Sequence, residues 1–288
     1  MEMQPPKYYQ PITRKQPTAC VIALDCSASM QTVVDFGGIR VPKSKAVSMV
    51  ANTLINELVL RATRDDGVRR YYDVAVLGYN GIRIESLLGD SATLIPIDKI
   101  AAMNVETREV KYVYDNEGEE VEGTFRYKSW VESYAVGLTP MNELLDYTTL
   151  LLEQWCSLPQ HANSFPPMVI NITDGESTDG FDRKLLESAM RLREVSTSDG
   201  EVLLVNIHIC NEAKSNSVIF PTRDEVPSDV YARMMVDMSS VLPPCFTKKV
   251  LGIRKLKQKP EEPFLAMAYN ILPISLFNII DIGTRTTR

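Results

Sequence analysis

The chain alternates between two hydrophobic periodicities, and this alternation limits the folds that it can adopt. Four short apolar runs, rich in Val, Ile and Leu and without regular polar alternation, predict strands that are buried on both faces. They occupy residues 19–24, 72–79, 168–173 and 202–209. Apolar residues at helical spacing predict helices over residues 43–63, 139–156 and 182–195, with weaker patterns over 228–242 and 263–280. Strands and helices in this order predict an α/β fold, with a doubly wound, mostly parallel central sheet flanked by helices.

One stretch, residues 100–134, breaks this rhythm. Two segments with alternating side chains, 110–114 and 124–130, flank the turn-forming sequence Asp115-Asn116-Glu117-Gly118. This pattern predicts a β-hairpin inserted into the sheet-and-helix order. We therefore expect an N-terminal extension over residues 1–17 and one domain over 18–288, with the hairpin at about 100–134 and a C-terminal extension carrying the last helix at 243–288.

Charge and cysteine content narrow the classes of partner. A net charge of −6 disfavours nucleic acid, whose binding needs clustered Lys and Arg. The basic run from Lys248 to Lys259 contains no interleaved aromatic residue and is typical of a solvated loop. Five cysteines without a C-x-x-C pair favour free thiols in a reducing compartment. We find no long apolar run and no secretory signal pattern, so we expect a cytoplasmic protein that does not bind a membrane.

A carboxylate and two hydroxyls follow the first predicted strand, in the sequence Asp25-Cys26-Ser27-Ala28-Ser29. The carboxyl ends of strands in a doubly wound sheet face the crevice where ligands bind. Oxygens at every second position can point to one centre there, and an all-oxygen site suits Mg²⁺, Ca²⁺ or Mn²⁺ better than zinc. Taken alone, the same residues favour a helix cap over a metal site.

Two further residues lie where loops would face this one. Thr139 immediately precedes a predicted helix, and Asp174 ends another predicted buried strand, in the sequence Ile172-Thr173-Asp174-Gly175. Each has a plainer interpretation by itself. Thr139 would be an N-cap completed by Asn142 or Glu143, and Asp174 would belong to an Asp-Gly turn.

Together, these residues resemble the metal-ion-dependent adhesion site of von Willebrand factor A domains. The signature of that site is Asp-x-Ser-x-Ser, then a Thr, then an Asp in a Thr-Asp-Gly context. The resemblance covers roughly residues 20–209 and implies a Rossmann-like fold. It also implies a divalent cation, with Mg²⁺ the first choice and Mn²⁺ or Ca²⁺ as alternatives. Ser27, Ser29 and Thr139 would contact the cation through hydroxyls, and Asp25 and Asp174 would hold it directly or through water. A carboxylate of a protein partner would take the remaining position.

The function that we expect is a metal-dependent protein–protein interaction module, not an enzyme. The sequence contains no nucleophile elbow, P-loop or zinc-ligand spacing, and only two histidines, His161 and His208. We therefore assign no catalytic and no organic cofactor-binding residue. The resemblance to stand-alone intracellular bacterial members of the family implies a role in a stress-response or defence system.

Two alternatives remain open at this stage. The first is a Mg²⁺-dependent phosphatase or phosphotransferase of the haloacid dehalogenase type, which also has an Asp after its first strand. Ser27 stands where that class has its second carboxylate. The second is a scaffold whose metal site is vestigial.

The chain also departs from familiar members of the von Willebrand factor A family in its long loop over residues 31–42. We interpret the polar loop around Glu176, Ser177 and Asp179 as ordinary solvated surface.

Overall fold

A computed structural model describes residues 7–36, 40–81, 83–89, 93–116, 119–180, 183–209, 217–269 and 278–280. Its strands are β1 (Thr18–Asp25), β2 (Val33–Asp35), β3 (Arg40–Pro42), β4 (Thr63–Arg64), β5 (Gly67–Val68), β6 (Tyr72–Asn80), β7 (Arg83–Ser86), β8 (Ile95–Pro96), β9 (Thr107–Asn116), β10 (Glu119–Lys128), β11 (Met168–Thr173), β12 (Ser196–Thr197), β13 (Gly200–Glu201), β14 (Leu203–His208), β15 (Val218–Ile219) and β16 (Met267–Tyr269). Its helices are α1 (Lys43–Ala62), α2 (Ile97–Ala101), α3 (Met141–Ser157), α4 (Arg183–Glu194), α5 (Val230–Met238) and α6 (Thr247–Ile253).

An eight-stranded sheet forms the centre of the molecule. Its order is β15-β16-β14-β11-β1-β6-β7, and β8 also pairs with β6. The five inner strands from β16 to β6 run parallel, and β15, β7 and β8 are antiparallel at the edges. The predicted α/β fold with a mostly parallel central sheet is therefore confirmed.

The two faces of β1 pack against different helices because successive side chains of a strand point to opposite faces. Ile22 and Leu24 belong to one buried cluster with Leu54 of α1. Val21 and Ala23 belong to a second cluster, which includes side chains of α3 and α4. Helices thus cover both faces of the sheet, as a doubly wound arrangement requires. This burial is the reason that the strands lack polar alternation.

The inserted hairpin is confirmed as β9 and β10, which pair in antiparallel register from Thr107↔Lys128 to Asn116↔Glu119. Glu117 and Gly118, the tip of its predicted turn, lie outside the described residues. Asn52 of α1 holds the chain that leaves the hairpin. Its side-chain oxygen accepts hydrogen bonds from the backbone N–H groups of Trp130 and Val131, and its amide donates to the Val131 carbonyl. The insertion is thereby connected to the helix whose first turn lies at the candidate site.

The predicted helix over residues 263–280 is wrong at Met267–Tyr269, which forms β16. This short strand pairs in parallel with β14 through Asn206↔Met267 to His208↔Tyr269. A short apolar run does not by itself distinguish a buried strand from a helix, and pairing with the exposed edge of β14 selects the strand. Residues 278–280 are helical, and 270–277 lie outside the described residues.

The described part of the N-terminal extension packs on the domain. Ile12 is fully buried. The carboxylate of Asp199 accepts hydrogen bonds from the backbone N–H groups of Tyr9 and Gln10, at 2.9 and 3.0 Å. Across the described residues, no helix combines the length and the apolar character needed to cross a bilayer.

Candidate metal site

Three loops meet at the carboxyl end of the parallel strands, and each carries part of the predicted site. Asp25 is the last residue of β1, and Asp174 directly follows β11. Because Leu24 pairs with Ile172 across these neighbouring strands, Asp25 and the Thr173–Asp174 pair emerge at the same level. The loop before α3 joins them through two backbone hydrogen bonds: Ala28 N–H donates to the Gly137 carbonyl at 2.9 Å, and Val136 N–H donates to the Cys26 carbonyl at 2.8 Å.

Asp25 is fully buried, and both of its carboxylate oxygens accept hydrogen bonds. Oδ1 accepts from the backbone N–H of Ser27 at 2.9 Å, and Oδ2 accepts from the Thr173 hydroxyl at 2.7 Å. Burial raises the pKa of Asp25 from 3.8 to about 6, and the nearby negative charge of Asp174 adds to the rise. Both effects oppose the charged form, and a bound cation would relieve both.

Ser27 and Ser29 present their hydroxyls side by side. The chain turns into a short 3₁₀ helix, Ala28–Gln31, and this turn brings the two Oγ atoms to 3.1 Å from each other. Ser27 is the N-cap residue of that turn. Among the described residues, however, its side chain makes no capping hydrogen bond. Ser27 thus lies at the predicted cap position, but its hydroxyl pairs with that of Ser29 and not with the backbone of the turn.

Thr139 is held by its backbone and is buried. Its N–H donates to the Thr178 hydroxyl at 2.9 Å, and its carbonyl accepts from the Thr178 N–H at 3.0 Å. The cap of α3 is instead Asp179, whose carboxylate accepts from the N–H groups of Asn142 and Glu143 at 3.0 and 2.8 Å. The interpretation of Asp179 as ordinary solvated surface is wrong, since this carboxylate fixes the helix that follows Thr139.

Two glycines of these loops allow close contact with neighbouring elements, Gly137 with the turn between β6 and β7 and Gly175 with α5. Gly137 has a φ of +76°, and a Cβ at this position would lie 3.1 Å from the backbone nitrogen of Gly81. Gly175 has a φ of +90°, and a Cβ there would lie 2.8 Å from the Cβ of Tyr231. A side chain would be strained at both positions, because L-residues rarely adopt positive φ.

Only one of the two carboxylate oxygens of Asp174 has a hydrogen-bond partner among the described residues. Its Oδ2 accepts from the Lys43 ammonium at 3.0 Å. Its Oδ1 is buried and finds no hydrogen-bond partner among the residues that the structure describes. Its backbone carbonyl accepts from Nε2 of His208 at 2.9 Å. Burial lowers the pKa of His208, so the imidazole is neutral and donates one proton.

Lys43 is a residue of the site that no sequence pattern indicates. It is the first residue of α1 and is 3% exposed. Its ion pair joins residues 131 positions apart. A lysine at a helix start carries no sequence signal for such a contact.

The donor set fits a hard divalent cation. Asp25 and Asp174 supply carboxylates and Ser27, Ser29 and Thr139 supply hydroxyls, so that all the donor atoms are oxygen, which Mg²⁺, Mn²⁺ and Ca²⁺ prefer. The bare Oδ1 of Asp174 is an acceptor without a donor, as a metal ligand would be. Within the described ranges, no group of three or more His, Cys, Asp or Glu could hold a metal, which argues against a zinc-type or carboxylate-rich centre in that part of the chain.

No family model matches the chain, and no curated protein matches it. Solved structures of similar fold include a von Willebrand factor type A from Catenulispora acidiphila, 15% identical with a TM-score of 0.40. That likeness covers 68% of this chain and 34% of the other, so this chain spans about a third of its length. The manganese-loaded TRAP protein of Plasmodium vivax is 15% identical with a TM-score of 0.43, over 94% of this chain and 75% of that one.

An aerotolerance-related membrane protein from Bacteroides fragilis is 14% identical with a TM-score of 0.36, over 77% of this chain and 86% of that one. At these identities and TM-scores, the likeness carries no argument about function. The chain's own sheet topology confirms the doubly wound α/β fold, and the solved structures to which it is similar include a member of the von Willebrand factor type A family that the motif resembles.

Proposed function

We propose that this chain is a metal-dependent protein–protein interaction module. Asp25, Ser27, Ser29, Thr139 and Asp174 bind a divalent cation, and through it they bind a carboxylate of a protein partner. The observation that carries the proposal is the buried Oδ1 of Asp174, which lacks a hydrogen-bond partner within the described part of the chain and lies at the site that also holds Asp25.

The charges of the site suit this role. The two carboxylates carry two negative charges, and the Lys43 ammonium at Asp174 offsets one of them, so the chain only partly neutralises a dication. When bound, the cation supplies a positive centre that attracts an acidic side chain. The partner would also exclude water from the site, and the lower local dielectric strengthens the contact. Mg²⁺ is our first choice, with Mn²⁺ or Ca²⁺ as alternatives.

Exposed apolar side chains next to the site support a protein partner. Val136 and Leu138, on either side of Gly137, are 55% and 58% exposed. Val33, in the loop that follows the two serines, is also exposed. A partner that covered the cation would also cover these exposed apolar side chains, and their burial would add to the affinity.

An enzyme of the haloacid dehalogenase type is a weaker candidate. That chemistry needs a second carboxylate two residues after the first, and Ser27 stands there with its hydroxyl beside Ser29. Hydrolysis of a chromogenic phosphate ester in the presence of Mg²⁺ would favour the enzyme over the interaction module.

We also propose a cytoplasmic location and a role in a bacterial stress-response or defence system. Free thiols at Cys20, Cys26, Cys156 and Cys245 support a reducing compartment. The net charge of −6 supports a partner other than nucleic acid.

The test is calorimetric titration of Mg²⁺ and Mn²⁺ into metal-stripped protein, beside an Asp25→Ala control. We expect saturable binding of about one ion per chain in the wild type and none in the variant. Acetate, added in excess as a carboxylate mimic, should strengthen the binding. A wild type that binds no ion even with acetate would contradict the proposal and favour the vestigial scaffold. Binding that survives in Asp25→Ala would place the ion elsewhere.

A further inference from the structure

Lys43 is placed where local rules disfavour a lysine. It is the first residue of α1, and a cation near a helix N-terminus opposes the helix dipole. It is also buried, and burial of an ammonium costs free energy unless the charge is paired. Local structure therefore gives no reason for a lysine here. The reason is its contact with Asp174, because Nζ of Lys43 lies 3.0 Å from Oδ2 of that carboxylate.

The backbone holds this lysine in place. Lys43 N–H donates to the Thr32 carbonyl at 2.9 Å, which ties the start of α1 to the loop that follows Ser27 and Ser29. The ammonium and the candidate metal ligands thus belong to one connected set of loops. The two carboxylate oxygens of Asp174 have different surroundings. Oδ2 accepts a hydrogen bond from Lys43, and Oδ1 has no partner among the described residues.

We propose that Lys43 is a built-in competitor of the divalent cation, which lowers the metal affinity of the isolated domain until a partner's carboxylate arrives. This inference rests on the proposed metal site. Asp25 and Asp174 bring two negative charges, and the ammonium cancels one of them. A dication at Oδ1 of Asp174 is repelled by the ammonium at Oδ2 of the same carboxylate.

A partner's carboxylate restores the missing negative charge. Metal and partner then bind cooperatively, because each raises the affinity of the other by the same factor. The ammonium has a second effect in the metal-free domain, where it compensates part of the negative charge that two buried carboxylates would otherwise leave.

The experiment compares Mg²⁺ affinity of the wild type, Lys43→Met and Lys45→Met by calorimetry. Lys45→Met is the matched control: it removes the same charge from the same helical turn, at a partly exposed side chain whose ammonium lies over the Tyr127 ring. We expect Lys43→Met to raise the affinity about tenfold or more. Lys45→Met should change it by less than about twofold. An unchanged or lower affinity in Lys43→Met would overturn the inference.

Two further variants separate charge from packing. Lys43→Gln removes the charge and keeps a hydrogen-bond donor, so its affinity should rise as in Lys43→Met. Lys43→Arg keeps the charge, and we expect its affinity to stay within about threefold of the wild type. A similar rise in Lys43→Arg would assign the effect to packing and overturn the inference.

Thermal unfolding gives a readout that does not depend on calorimetric heats. In EDTA, Lys43→Met and Lys43→Gln should melt below the wild type, and saturating Mg²⁺ should raise their melting temperatures by more than it raises that of the wild type. A smaller Mg²⁺-induced rise in both variants would overturn the inference. If wild type and variants all bind Mg²⁺ equally, only this inference fails. If none of them binds Mg²⁺ with or without acetate, the proposed function fails with it.

Discussion

Asp73 at the amino end of the central sheet and Asp174 at its carboxyl end are both buried carboxylates, and they differ in their hydrogen bonding. At the amino end, Asp73 is 2% exposed and accepts hydrogen bonds from Arg70 at 2.9 and 3.0 Å and from the Trp155 indole at 3.1 Å. At the carboxyl end, Asp174 is 8% exposed and accepts from Lys43 through one oxygen only. Its other oxygen is buried with no partner in the part of the chain that the structure describes.

The two ends differ in how completely the oxygens of Asp73 and of Asp174 are hydrogen-bonded, and not in the number of titratable groups. The amino end also holds groups that catalytic sites use, since His161 stacks on Trp155 with ring centroids 3.9 Å apart and its Nε2 lies 4.0 Å from Asp73. Those groups already bond to one another. A buried carboxylate oxygen without a donor costs stability, and a bound cation could satisfy it. We therefore interpret Asp73 as a structural residue and retain Asp174 as a proposed metal ligand.

The largest expected effect is on metal affinity. Asp25→Ala should lower Mg²⁺ affinity by more than about a hundredfold, because it removes one of only two carboxylates at the site. Asp73→Ala should leave the affinity within about twofold, because Asp73 and Asp25 have different hydrogen-bond partners among the described residues. Calorimetry on the two variants checks both. A comparable loss in Asp73→Ala would break the division between the ends.

The next effect is on stability. Asp73→Ala should lower the free energy of unfolding by about 2 kcal/mol, since it leaves the buried Trp155 indole without its acceptor, whereas the half-exposed Arg70 can be solvated. Urea denaturation of metal-free protein measures this change, with Asp25→Ala alongside. We expect Asp25→Ala to lower the free energy of unfolding by less than Asp73→Ala does, because burial and the charge of Asp174 already oppose the charged form of Asp25. The reverse order would contradict the division between the two ends.

A smaller effect is expected from a single hydroxyl. Thr139→Val should weaken Mg²⁺ binding about tenfold and change the free energy of unfolding by less than about 1 kcal/mol. Thr148→Val is the matched control. Thr148 is a buried threonine within α3, the helix that follows Thr139, and its hydroxyl has no hydrogen-bond partner among the described residues. That variant should bind Mg²⁺ as the wild type does. If both variants bound normally, Thr139 would not be a ligand.

The smallest effect concerns helix capping. Asp179→Ala should cost about 1 kcal/mol of stability, because it frees two N–H groups at the start of α3. Asp199→Ala, which frees the N–H groups of Tyr9 and Gln10 at the amino end, should cost a similar amount. Only Asp179→Ala should also weaken Mg²⁺ binding, since α3 follows Thr139. Equal Mg²⁺ affinities in the two variants, measured by calorimetry, would show that the cap does not position that threonine.

The strands and most helices could be predicted because their signal is local. Residues 19–24 and 72–79 were predicted as strands from apolar runs, and the structure extends them only to Thr18–Asp25 and Tyr72–Asn80. The same periodicity fails at Met267–Tyr269. There, three residues become a strand through pairing with β14, more than fifty positions earlier in the chain. No pattern within a short window carries that information.

Local sequence patterns are enough to predict the alternation of strands and helices and the motif of Asp25, Ser27 and Ser29, because each depends on residues a few positions apart. The order of Thr139 and Asp174 along the chain matches a known site, and their role as ligands stays a prediction. The pairing of Lys43 with Asp174 and the capping of α3 by Asp179 depend on the folded chain. These contacts span 131 and 37 positions, and they exist because the parallel strands bring distant loops to one edge of the sheet.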